Sequence, residues 1–198
     1  MRDARAATDR VVLLVEGPSD HRAILALAAR LGVDLGGGGV RVVDMGGVTN
    51  LRTHLAELDA AFAGPVVDPP RLLGLYDVGE FEVVCRMLEE SGRGRPADLA
   101  EAEALGFFAC ALDLEDELIR AAGADLVQSM LAEAGELSRF RTFQGQPAQR
   151  GRPIEAQLRR FAGTASGRKV RFAAAIVERM PLERVPRQLA DLLRAAAP

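Results

Sequence analysis

A chain of 198 residues, 48% hydrophobic and 27% charged, is long enough for one globular domain with room for a small appendage. No apolar run approaches the ~20 residues of a membrane span. The opening MRDARAATDR lacks the apolar core of a signal peptide, so a cytoplasmic location and no membrane partner are expected.

The net charge of −3 hides an asymmetry. Residues 1–138 hold 12 Arg against 24 Asp and Glu, whereas residues 139–198 hold 13 Arg and Lys against 4 Asp and Glu. An acidic body with a basic C-terminal third suits a metal site beside a polyanion-binding surface. Solvated, Arg-rich helices explain the charge equally well.

In chain order, Val11–Val15 has the length and β-branching of a strand covered on both faces. It runs into Glu16, a Gly-Pro pair and Asp20. Ser19 is placed to cap the helix SDHRAILALAARLG, which carries Ile24, Leu27, Ala28 and Leu31 on one side. The tract GGGG at 36–39 reads as a flexible connection. It lacks the Gly-Lys-Ser/Thr ending of a phosphate loop, so no nucleotide-binding site is expected. VRVVDMGG is a second strand with a glycine turn, and TNLRTHLAELDAAFA a helix. RLLGLYDVGE is a third strand ending at Asp77, and FEVVCRMLEE the helix after it. SGRGRPADLAEAEAL mixes loop and short helix. GFFACALDLEDELIRAAG gives a fourth strand, then acids, then a helix. Beyond residue 124 the chain reads as helices around the loop TFQGQPAQRGRP. Four strand-then-helix units imply a mostly parallel sheet. Cys85 and Cys110 lack metal-ligand spacing and read as reduced core residues. His21 and His54 have no second His at ligand spacing and read as surface or packing residues.

Carboxylates recur at equivalent places. Glu16 and Asp20 follow the first strand, Asp77 and Glu80 the third, and Asp113, Glu115, Asp116 and Glu117 the fourth. In a parallel sheet these strand ends share one edge, where ligands bind. Clustered carboxylates raise one another's pKa unless a cation neutralises them. Mg²⁺ or Mn²⁺ suits such an oxygen-rich cluster, and two ions ~4 Å apart can activate water and stabilise the leaving oxygen of a phosphodiester. The competing reading is helix N-terminal acids favoured by the macrodipole. That explains Asp116 and Glu117 well, and Glu16 on a buried strand end poorly.

The only lysine among 25 basic residues is Lys169. In so Arg-biased a chain, the one Lys that persists points to a need for a compact ammonium, although a residual surface Lys accounts for it too.

These residues together resemble the Toprim domain of topoisomerases, bacterial primases and small nucleases, with its Glu after the first strand and Asp-x-Asp after the third. The closer resemblance is to the overcoming-lysogenisation-defect (OLD) nucleases. VVLLVEGPSDHRAILALAARLG resembles their opening strand, acidic turn and helix. VRVVDMGGVTNLRTHL resembles their second strand and glycine turn, and FFACALDLEDEL their aromatic strand and Asp-Leu-Glu element. GRKVRFAAAIVERMPLERVPRQLADLL resembles their Lys-bearing helix and last helix. The implied fold is α/β of the Rossmann-like Toprim type, with a four-stranded, mostly parallel sheet flanked by helices over residues 1–123. A helical C-terminal part, residues 124–198, is expected to pack on that core and complete the site with Lys169.

By the same resemblance, Glu16 and Asp20 are metal ligands, or Glu16 a general acid/base, and Asp77 is the central ligand between two ions. Asp113 and Glu115 complete the second site. Lys169 stabilises the pentavalent transition state or the leaving group. The second acid of Asp-x-Asp is Gly79 here, with Glu80 one place later as the substitute; failing that, one ion is weakly held. OLD nucleases carry an ATPase domain ahead of the Toprim domain. This sequence contains none, so the implied protein stands alone or works with a separately encoded ATPase, and a second copy of the chain is a further partner to consider.

The leading expectation is a metal-dependent endonuclease acting on DNA before RNA, with Arg168 and Arg171 holding phosphate. The alternative is a non-catalytic nucleic-acid-binding or regulatory subunit. Strand passage needs a nucleophilic Tyr, and the only one, Tyr76, lies inside a strand. Primer synthesis needs further template-binding domains.

Overall fold

The computed structural model describes residues 9–63, 69–165 and 167–197. Four parallel strands, β1 (Val11–Val15), β2 (Val40–Asp44), β3 (Arg71–Asp77) and β4 (Phe107–Cys110), form one sheet in the order β2-β1-β3-β4. All five residues of β1 are buried, as a central strand covered on both faces requires. The chain steps from β1 outward to β2, then returns to the other side of β1 as β3. That reversal opens a crevice between the carboxyl ends of β1 and β3.

The sheet alternation divides the core. Leu13 and Val15 pack on one face with α1 (Pro18–Leu31) and with residues of α5 (Leu114–Ala122), α6 (Ala124–Glu133), α7 (Leu137–Gln144), α8 (Ile154–Ala162), α9 (Arg168–Arg179) and α10 (Arg187–Ala196). Val12 and Leu14 pack on the other with α2 (Leu51–Ala61), α3 (Phe81–Glu90) and α4 (Leu99–Ala104). Gly74 lets β3 approach β4 closely: a Cβ there would stand 2.5 Å from the Phe107 ring.

Several local expectations change. The N-cap of α1 is Gly17; Pro18 opens the helix and Ser19 lies inside it, buried. Leu31 is 40% exposed, because Gly32 turns the chain away in the left-handed region just after it. The glycine tract is a hydrogen-bonded turn, with Gly38 and Gly39 donating to the carbonyls of Asp34 and Gly36. α7 continues through Gln144, into the expected loop. Lys169 lies on α9, after α8. Residues 1–8, read for a leader, and Ser166 lie outside the described residues. Cys85 and Cys110 are buried free thiols.

Candidate metal centre and nucleic-acid site

Each candidate acid is positioned by the end of a strand or the start of a helix. Glu16 leaves β1, and its carbonyl accepts the N–H of Gly47 at 2.8 Å. Gly46 and Gly47 have φ of +68° and +118°, and this turn needs glycine to lie against the end of β1. Asp20 sits in the first turn of α1, where its carboxylate accepts the N–H of Gly17 at 2.9 Å. Asp77 ends β3, opposite Cys110 of β4. A 3-10 turn, Val78–Glu80, follows at once. Asp77 precedes this turn in extended backbone, and the charge of Glu80 acts on its carboxyl.

Asp113 caps α5: one carboxylate oxygen accepts the Asp116 N–H at 2.8 Å, and the other accepts Nε of Arg159 at 2.7 Å. Glu115, two residues after this cap, is 1% exposed, and its Oε1 has no hydrogen-bond partner. Its one ionic contact is Nζ of Lys169, 3.1 Å from Oε2. Oε2 of Glu80 is likewise buried without a hydrogen bond. Unmade hydrogen bonds on buried carboxylates are costly, and a hard cation is the usual remedy.

The charges act on one another. Burial, then the charges of Glu16, Asp113, Glu80 and Asp20, pushes Asp77 up to about 7. Burial, then Glu115, pushes Asp20 up to about 7; the Gly17 N–H and the Lys169 charge oppose this in part, and Glu16 adds to it. Burial and Glu16 raise Glu80 as well. Thus the strand-end acids at 16, 20, 77, 80, 113 and 115 form one electrostatic unit on one sheet edge. Burial weakens the charged forms of Lys169 and Arg159, yet Glu115 for the first and Asp113 for the second outweigh it, and both end more basic than usual.

Among the described residues, no three His, Cys, Asp or Glu side chains are drawn together as a finished metal site. The donor set nevertheless fits a hard cation: it is all carboxylate, its members raise one another's pKa, and the buried Oε2 of Glu80 lacks a partner.

Other acids serve elsewhere. Asp116 pairs with Arg120 at 2.8 Å, and Glu117 accepts the Ala111 N–H at 2.9 Å, both closing the first turn of α5. Asp44 also ends a strand, but it is exposed and accepts the Gly46 N–H. The arginines read as phosphate contacts stand apart from the carboxylates. Arg168 is 8% exposed, bonded to Glu136, Phe161 and Thr164, and stacked on the Phe161 ring. Arg171 is exposed, and with Arg168 it lines a cavity of about 480 Å³ between α6 and α9 that none of the six carboxylates reaches. Sequence reasoning missed Arg159. Nothing in its spacing distinguishes it from its neighbour Arg160, and only the packing of α8 on α5 brings it to Asp113.

Residues 9–65 match the family described as "Overcoming lysogenization defect protein-like, TOPRIM domain". The C-terminal region of the Xanthomonas campestris pv. campestris OLD protein superposes with a TM-score of 0.67 at 23% identity, over 95% of this chain and 94% of that one. The C-terminal region of the Burkholderia pseudomallei OLD protein gives 0.66 at 20% identity, over 95% and 97%. The chain has a Toprim fold. It resembles the Toprim region of OLD proteins from the first strand to the last helix, and the β1–β3 crevice with its acids lies within the shared fold. No curated protein matches the sequence.

Proposed function

We propose that the chain is a divalent-metal-dependent nuclease that hydrolyses phosphodiester bonds, in DNA before RNA. The observation that carries this is the placing of Glu16, Asp20, Asp77 and Glu80 at the ends of β1 and β3, where Oε2 of Glu80 is buried without a partner and burial and mutual charge raise Asp20 and Asp77. Carboxylates held against their own charge favour a ligand site over a purely stabilising one.

Glu16, Asp20, Asp77 and Glu80 are the residues that would hold Mg²⁺ or Mn²⁺. Asp113 and Glu115 form a second group that already bears Arg159 and Lys169. An ion held there would supply a water of lowered pKa and neutralise phosphoryl oxygen charge. Glu16 is positioned to take a proton from the attacking water, or to hold that water in line. Lys169, an ammonium at neutral pH, offers charge to the phosphoryl oxygens or the leaving oxygen as negative charge develops.

A non-catalytic binding or regulatory subunit is the second reading, favoured by Gly79 at the place of the second acid of Asp-x-Asp. Incubating purified protein with plasmid and Mg²⁺ or Mn²⁺, beside Glu16→Gln and Asp77→Asn, separates the two. Cleavage abolished in both variants supports the nuclease. Cleavage at the wild-type rate in both means that these acids do not carry it, and DNA binding without cleavage by the wild type favours the second reading.

A further inference from the structure

The six carboxylates are not equivalent in what already neutralises them. Asp113 has Arg159 Nε on Oδ2 at 2.7 Å, and Glu115 has Lys169 Nζ at 3.1 Å. Glu16, Asp20, Asp77 and Glu80 make no ion pair among the described residues. Two acids with two cations are neutral together, whereas the other four carry up to four negative charges.

We propose that Arg159 and Lys169 occupy the place of a second divalent ion at Asp113 and Glu115, so that this chain binds one Mg²⁺ or Mn²⁺, at Glu16, Asp20, Asp77 and Glu80. This rests on the metal-dependent reading above and adds the number of ions and a role for Arg159.

Three observations support it. Both oxygens of Asp113 are committed, Oδ1 to the Asp116 N–H at 2.8 Å and Oδ2 to Arg159, so an ion entering there must break a helix cap or an ion pair. Arg159 cannot leave by losing its proton, since guanidinium stays charged under all ordinary conditions. Nor is its helix free to withdraw it, because Leu158, Phe161 and Ala162 of α8 are buried around it. Glu115 is enclosed at 1% exposure, and the Lys169 ammonium is the cation that answers its charge. A divalent ion beside both cations would meet repulsion that the neutral quartet does not offset.

The consequence is a divided site. The four-acid group supplies the ion that activates water. Arg159 and Lys169 are aligned to receive the charge of the phosphoryl and leaving oxygens, Arg159 through a planar fork suited to two phosphate oxygens. Arg159 touches substrate in this arrangement as well as Asp113.

Metal stoichiometry tests this without an activity readout. Mn²⁺ is titrated calorimetrically into wild type, Arg159→Lys, and Arg159→Met/Lys169→Met, and the spin-resonance spectrum of each saturated protein is recorded, with circular dichroism to establish folding. One Mn²⁺ per wild-type chain with an isolated-ion spectrum is expected. Arg159→Lys keeps one. The double methionine variant takes up a second ion whose spectrum shows coupling to the first. Two coupled ions on the wild type would overturn the inference while leaving the metal-dependent reading intact. A folded double variant that still binds one ion with unchanged affinity would also overturn it. Wild type that binds no Mn²⁺ would overturn the metal-dependent reading itself, and the inference with it. The wild-type count decides the question even if the double variant fails to fold.

Discussion

Glu80 ends the 3-10 turn that follows β3, three residues after Asp77, and burial, then the charge of Glu16, raises the carboxyls of both. The residue between them in the Asp-x-Asp pattern, Gly79, is exposed, and a Cβ there would meet nothing within 4 Å.

Gly79→Asp is therefore expected to fold, to bind Mn²⁺ several-fold more tightly, and to be less stable than wild type at pH 8 without metal, since a further carboxylate joins an already repelling set. Calorimetric titration and thermal melts with and without Mn²⁺ read both effects. Weaker metal binding would show that position 79 faces away from the ion.

Stability without metal should fall as pH rises. Asp20 and Asp77 keep their protons up to about 7 in the folded chain, against an ordinary 3.8. Between those values the native state binds more protons than the unfolded one, so their contribution is present at low pH and lost as pH climbs toward 7. Metal-free melts should drop by roughly 5 °C or more between pH 5 and pH 8, set against any opposing groups, with a shallower slope in Asp77→Asn. Mn²⁺ at pH 7 should restore the loss and release protons, seen as a buffer-dependent heat. A slope unchanged in Asp77→Asn would place the titration elsewhere.

Lys169 separates an enzyme from a binding module. If its ammonium meets charge that develops in the transition state, Lys169→Ala slows cleavage by roughly 10²-fold or more. Nucleic-acid affinity changes little, because the arginines of the basic third remain to supply the electrostatic part. Lys169→Arg rescues poorly, as a planar fork does not fill the place of a point ammonium. Cleavage and filter binding at matched salt check this, and full activity in Lys169→Arg would reduce the lone lysine to a compositional accident.

Arg168 should prove a structural clamp. Its Nε meets Glu136 at 3.0 Å, and its guanidinium lies 4.2 Å from the centre of the Phe161 ring. Arg168→Met leaves Glu136 without its partner and should cost about 3 kcal/mol in urea unfolding, with DNA affinity nearly unchanged at low temperature. The opposite pattern, full stability with weakened, less salt-dependent binding, would make it a phosphate contact.

Much of this was legible in the sequence where short-range physics decides. The all-apolar run Val11–Val15, the acids after β1, β3 and β4, and the alternation of strand and helix imply the sheet and the edge on which the carboxylates gather. What the sequence concealed was long-range packing. Arg159 and Arg168 read alike in the chain, yet the first reaches Asp113 and the second is buried against Phe161. The charge asymmetry was likewise ambiguous. Arg159, Arg168, Arg179 and Arg187 of the basic third pair with Asp113, Glu136, Glu133 and Glu103 of the acidic part, so the two halves in part neutralise each other.

The packing of α9 on α1 has a consequence for the order of assembly. Arg30 of α1 donates to the carbonyls of Val177 and Met180 at 2.5 and 2.6 Å, closing the last turn of a helix made late in synthesis against one made early. Contacts so distant in sequence form late, after their loop-closure entropy has been met. Until α8 and α9 dock, the acids at 16, 20, 77, 113 and 115 face one another with neither Arg159 nor Lys169 present. A nascent chain therefore holds a half-built, self-repelling edge, and the two cations reach the acids only with the closing of the fold.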